Sequence, residues 1–142
     1  DYGICFHNVQ LYKQEENKFS KDTITREVPE ITNIEDLAKG NFIHTPSVVL
    51  RNDFTIPKWY SKSPIGDWAL YMIAIKDRKI KKLNDVMTVY RVHNTSVWSN
   101  KSRGYRIEKT LITLKLIYKY VNFDNEIKNV LKKRIKEYEK TI

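Results

Sequence analysis

The residues best suited to chemistry stand in three places: Asp67 directly after Gly66, Arg91 and His93 at the end of an apolar run, and the rings of Trp59, Tyr60, Trp68 and Trp98. Asp67 falls where an apolar helix is predicted to open. A carboxylate there is favoured by the helix dipole and by free backbone N–H groups, which fix its direction as a general base requires. The same position suits an N-cap, worth about 1 kcal/mol relative to Ala, so cap and base are two readings of one residue. His93 has only His7 and His44 as companions, scattered elsewhere, and a zinc site needs several ligands; a structural role and a metal role both remain open. Arg91 reads as a paired surface cation or as a bidentate partner for a diphosphate. Flat amphipathic rings suit the faces of sugars or bases, and they suit a core equally. On this reading Trp68 is buried and Trp59 is exposed enough to bind.

The elements that must position these residues follow from periodicity. Tyr2 to Leu11 is apolar at both parities, which predicts an interior strand buried on two sides. A turn at Glu15 to Lys18 leads toward an edge strand near Thr23 to Val28. Ile34 to Lys39 predicts a short helix closed by Gly40, and Ser47 to Leu50 a short buried strand. The stretch Asp53 to Gly66, with Pro57, Trp59, Tyr60 and Pro64, is long enough to be a functional loop or a packed lid. Asp67 then caps a buried helix, Trp68 to Lys76. Lys79 to Leu83 and Val86 to Val92 read as two strands joined by an Asn84-Asp85 turn. After Gly104 two amphipathic helices are expected, one marked by Ile107, Leu111, Leu114, Tyr118 and Val121, the other by Ile127, Leu131, Ile135 and Tyr138.

The net charge is +9, and residues 101–142 hold twelve Lys or Arg against five Asp or Glu, so the basic character is concentrated at the C-terminal end. That end reads three ways: a phosphate contact in nucleic acid, an anionic membrane surface, or a solvated face. The longest apolar run, Trp68 to Ile75, is far short of the roughly 20 residues of a membrane span. Cys5 stands alone in an apolar run, which excludes an internal disulfide framework and suggests a buried thiol in a reducing, cytoplasmic setting. No signal peptide is read, and Asp1 is no translation start, so the chain is expected to be excised from something longer.

Three stretches in order, Thr45-Pro46-Ser47-Val48-Val49-Leu50-Arg51, Pro64-Ile65-Gly66-Asp67-Trp68-Ala69-Leu70 and Tyr90-Arg91-Val92-His93 with Ser96-Val97-Trp98, resemble the C-terminal, acceptor-side half of bacterial family 2 glycosyltransferases of the GT-A fold. Gly3 to Val9 resembles the strand that follows the metal-binding Asp-x-Asp in those enzymes. The resemblance implies an α+β fragment of an α/β GT-A fold: a short mixed sheet with a buried helix, followed by two C-terminal amphipathic helices. Residues 1–103 would be the acceptor-side half and 104–142 a basic helical extension.

The resemblance also implies roles. Asp67 matches the base that deprotonates the acceptor hydroxyl, and His93 a position completing a divalent-metal site, Mn or Mg, in some relatives. Arg91 and Trp98 would lie near the donor diphosphate, and Trp59, Tyr60 and Trp68 near the acceptor. The reaction would be single displacement with inversion, in cell-envelope polysaccharide biosynthesis, from a nucleotide-sugar to a glycan or lipid-linked acceptor. Relatives often carry Glu-Asp where this chain has Gly66-Asp67, and no Asp-x-Asp occurs here. The nucleotide-binding half is absent, so the fragment alone is expected to be inactive and to self-associate through exposed strand edges. The enzyme is expected in the cytoplasm, peripheral to the inner membrane face through its basic helix, with no nucleic-acid partner. A basic nucleic-acid-binding module and a non-catalytic interaction module stand as alternatives.

Overall fold

The computed structural model describes residues 1–142 and organises them around β1, Tyr2–Lys13. β5, Lys79–Val92, runs parallel to β1 along most of its length. Two short antiparallel strands share the other edge of β1: β4, Val48–Leu50, against Ile4 to Phe6, and β2, Lys18–Lys21, against Gln10 to Lys13. β3, Ile31–Thr32, pairs antiparallel with β5 and completes a five-stranded mixed sheet. With four α-helices, the domain is α+β. β1 is interior, as its apolar character demands.

Several sequence expectations change. Lys79 to Val92 is one strand, because both of its halves pair with the same partner, β1; a hairpin would have set them against each other. Asn84 and Asp85 form a bulge instead of a turn: His7 pairs with Leu83 and Asn8 with Val86, leaving those two residues unmatched. Asn8 bridges the gap by donating Nδ2–H to Asn84 O at 2.9 Å. Burial in β1 changes parity at the same place, from Ile4 and Phe6 to Val9 and Leu11. The two-sided pattern read from sequence is therefore a phase change along a bulged ladder. The edge strand expected at Thr23 to Val28 forms earlier, at Lys18–Lys21, where β1 has unpaired length. Thr23 to Val28 is irregular because the Asp22 carboxylate accepts from Ile24 N–H at 2.8 Å and also engages Thr25, an Asx turn that competes with strand pairing. β4 forms as expected but is not buried, since Val49 is 72% exposed on a strand that pairs only with β1. Cys5 is half-buried.

The helices start for local reasons. At α1, Ile34–Lys39, Asn33 and Asp36 form a reciprocal capping box, and Gly40 ends the helix at φ 155°, a conformation that favours glycine. Ser102 caps α3, Arg103–Tyr120, and Asp124 caps α4, Asn125–Glu139, each by accepting a backbone N–H of the first turn. The buried helix α2, Gly66–Ala74, has no side-chain cap. It is held instead by packing: Trp68, Ala69, Tyr71, Met72 and Ala74 are all buried.

One apolar cluster joins the sheet to every helix. Ile4 and Phe6 of β1, Leu37 of α1, Trp68 and Met72 of α2, Leu114 and Ile117 of α3, and Ile127 and Leu131 of α4 belong to it. Residues on both sides of position 104 thus bury the same surface, at about 1.5–3 kcal/mol per large side chain. Tyr118, expected on the apolar face of α3, is 38% exposed. No helix is long and apolar enough to cross a membrane.

Candidate active site

Asp67 is not the N-cap of α2. Ile65 holds that position, and Asp67 sits in the first turn, where the dipole still favours a negative charge. Its Oδ1 accepts from Trp68 N–H at 2.8 Å and its Oδ2 from the Thr45 hydroxyl at 3.1 Å, which aims the carboxylate toward the segment preceding β4. Gly66 permits a close neighbour: a Cβ there would lie 3.1 Å from the Tyr60 hydroxyl, so any side chain at residue 66 would ask Tyr60 to shift by a few tenths of an ångström. Two further tyrosines feel the Asp67 charge. Burial, and next the carboxylate, push the Tyr71 hydroxyl well above its ordinary range, and the same two causes raise Tyr90. Both therefore stay protonated, and the buried Tyr71 hydroxyl lies beside Thr45, the residue that also donates to Asp67.

Tyr90 connects Asp67 to the end of β5. Tyr90, Arg91, His93, Trp98 and Pro46 line one shallow hollow of about 400 Å³, so Arg91, His93 and Trp98, close together in the sequence, share one surface. The loop after β5 is folded on itself: His93 N–H donates to Ser96 Oγ at 3.2 Å, and His93 Nδ1 lies 2.9 Å from Thr95 Oγ1. That contact leaves His93 Nε2 free. Arg91 is exposed and donates from Nη1 to Gln14 Oε1 at 3.2 Å, a neutral partner that leaves most of the guanidinium fork open.

A divalent metal needs several ligands, near-octahedral oxygens for Mg. His93 brings one nitrogen, and no three His, Cys, Asp or Glu side chains come together in this chain. These residues do not make a metal site among themselves.

The aromatic assignments divide. Trp68 is buried as expected, its indole N–H donating to Leu37 O at 2.9 Å. Trp59, expected to be exposed, is only 9% exposed and stacks on Tyr120 of α3 with ring centroids 5.8 Å apart and planes 12° off parallel. The long loop that carries it contains a 3₁₀ turn, Lys58–Lys62, and is a packed segment. Of the three aromatics expected beside an acceptor, Tyr60 alone is partly open.

Two groups escaped the sequence reading. His44, 8% exposed, lies 2.9 Å through Nε2 from Asp22 Oδ2, and its ring meets that of Tyr90 at 4.8 Å. Burial pushes the Asp22 carboxyl up, but hydrogen bonds from Thr25 and Ile24 together with His44 outweigh it and hold the group below the usual carboxylate range. The only signal for His44 was a polar residue following Phe42-Ile43; nothing local pointed to Asp22. Lys82 is likewise buried, on β5.

A scan against protein-family models finds no match, and neither the curated proteins nor the solved structures give one.

Proposed function

We propose that this chain is the acceptor-side half of an inverting glycosyltransferase that moves a sugar from a nucleotide-sugar donor to a hydroxyl of a cell-surface polysaccharide or lipid-linked acceptor. The observation that carries this reading is proximity: Arg91, His93 and Trp98 line one hollow with Pro46, and Asp67, outside that lining, accepts a hydrogen bond from Thr45, the residue next to Pro46. The start of α2 and the end of β5 are thereby neighbours, and in this reading a base, a cation and a ring act there on one substrate.

In this mechanism the acceptor hydroxyl gives its proton to the Asp67 carboxylate as its oxygen bonds to the anomeric carbon. The bond from that carbon to the diphosphate oxygen breaks, and the nucleoside diphosphate leaves with the electron pair. The Arg91 guanidinium, exposed and engaged only by Gln14, neutralises the leaving diphosphate bidentately. Thr45 and the Trp68 N–H keep Asp67 oriented, and Tyr60 offers a partly open ring to the acceptor. Residues outside these 142 would supply the base and ribose contacts, and any divalent metal would draw its remaining ligands from there as well.

The lysines of α4 fit an anionic membrane surface in this reading. Lys132, Lys133, Lys136 and Lys140 line a hollow with no apolar residue, while Ile127 and Leu131 are already spent in the core, so attachment would be electrostatic and free of insertion. Liposome binding that ignores anionic lipid content would remove this part.

The test of the whole is sugar transfer by the intact protein from a panel of labelled nucleotide-sugars, with the anomeric configuration of the product determined. Transfer with inversion that collapses in Asp67→Asn supports the reading. Salt-sensitive nucleic-acid binding without any transfer would move the basic-module alternative to the front.

A further inference from the structure

A second hollow lies across the His44–Tyr90 ring pair from the first, with His44 on its wall. It holds about 410 Å³ between the irregular segment after β2 and the middle of β1 and β5, within the range of small-molecule sites. Phe6, Val9, Val28, Phe42 and Val86 make its apolar part; Lys21, Asp22, Arg26, Glu27 and Lys82 carry its charge.

Lys82 is the informative residue. Its side chain is 10% exposed, and a buried ammonium carries a large desolvation cost unless it is paired. Of an ammonium's three N–H donors, the protein engages one, toward Glu27 Oε2 at 3.0 Å. Glu27 is a poor permanent partner, since its side chain is 94% exposed and it stands in a segment with no regular structure. Exposed carboxylates of this kind contribute little to an ion pair. One further donor faces the same shortage, the Ser20 hydroxyl, buried on the cavity wall without a partner; Arg26, exposed and with its guanidinium 5.0 Å over the Phe42 ring, donates from Nη2 to Asp36 O and adds positive charge at the rim. Of the two acidic residues on the wall, Asp22 is already engaged, because it accepts from His44, Thr25 and Ile24 N–H. The cavity thus has free donors and positive charge, and one carboxylate that is easily moved.

We propose that this cavity binds a small phosphorylated molecule, its phosphate displacing Glu27 from Lys82 and its body lying against Phe42 and Val9. The site is independent of the glycosyl-transfer reading: it shares none of Asp67, Arg91, His93 or Trp98.

The sign of one substitution separates this from a cavity merely closed by an ion pair. Inorganic phosphate would be titrated into the protein at constant ionic strength and followed by backbone amide shifts at Ser20, Thr25 and Lys82. Glu27→Gln removes the competing anion and is expected to tighten phosphate binding about threefold. Lys82→Met keeps the chain length without the charge and is expected to weaken it at least about tenfold. Acetate, with one charge and fewer acceptor oxygens, is expected to bind about tenfold more weakly than phosphate. The proposal fails if phosphate gives no saturable shifts there, if Glu27→Gln weakens binding or leaves it unchanged, or if acetate binds equally well. Should Lys82→Met not fold, the sign of the Glu27→Gln effect decides alone.

Discussion

The two hollows on either side of the His44–Tyr90 contact are built on opposite plans. The first is open and made of element ends: Arg91 and His93 stand at the last residues of β5 and just beyond, and Asp67, in the first turn of α2, stands beside it through its bond with Thr45. The second is roofed by the segment after β2 and floored by the middle of two strands, and its chemistry centres on Lys82, Asp22 and His44, which are largely removed from water. Element ends carry groups whose function needs exposure and whose removal leaves packing intact. Strand middles carry groups tied into the fold, so removal affects stability as well as binding. The largest expected effect follows from this difference. Asp67→Asn in the intact protein should lower sugar transfer by roughly 10²- to 10⁴-fold while thermal unfolding stays near that of the parent. A variant that transfers at the parental rate would show that the open hollow is not catalytic, and one that unfolds would show that Asp67 belongs to the second plan.

Both hollows stand on one core, and that assumption can be broken separately. Leu131 on α4 is fully buried in the same cluster as Ile4 and Trp68. Leu131→Ala should cost about 2–5 kcal/mol in denaturant unfolding through the cavity it leaves. A loss below about 1 kcal/mol would mean that the C-terminal helices are an appendage, and that the hollows rest on residues 1–103 alone.

What was legible in the sequence follows the same division. The α+β class, β1, α1 with its Gly40 stop, α2 and both C-terminal helices all come from apolar periodicity and local capping signals, which are properties of neighbouring residues. Arg91, His93 and Trp98 were visible because they lie within one short segment. Asp22, His44 and Lys82 were not, because they meet only when three distant segments fold over the sheet, and each alone resembles an ordinary surface residue. Trp59 misled for a related reason: an aromatic in a proline-bounded loop says nothing of Tyr120, sixty-one positions away, on which it stacks. The Asn84-Asp85 pair misled because turn chemistry also serves a bulge, and only the long shared partner β1 decides between them.

The roofed region should show its tie to stability through acid. Asp22 is held below its ordinary range when folded, so the stability it contributes is complete above the unfolded carboxylate value near 4 and is lost as pH falls through the lower folded value. Asp22→Asn should cost about 1 kcal/mol at neutral pH through weakened hydrogen bonds to Thr25 and Ile24 N–H. It should also flatten the decline of stability below pH about 4. An unchanged acid limb would place the roof outside the cooperative fold.

The smallest effect belongs to the bulge that sets the floor of the roofed hollow. Asn8 lines that hollow and spans the unmatched residues of β5 through its bond to Asn84 O. The bond is solvent-exposed, so Asn8→Ala should lower stability by only about 0.5 kcal/mol, read as a lower urea midpoint with an unchanged slope. The register beyond the bulge is set by Val9 and Leu11, which are buried, and the end of β5 should keep its place with them. Amide shifts at Arg91 and His93 should therefore stay put while those at Leu83 and Val86 move. If the shifts at Arg91 and His93 moved as well, the ladder would have slipped as a whole, and the two hollows would be one mechanical unit after all.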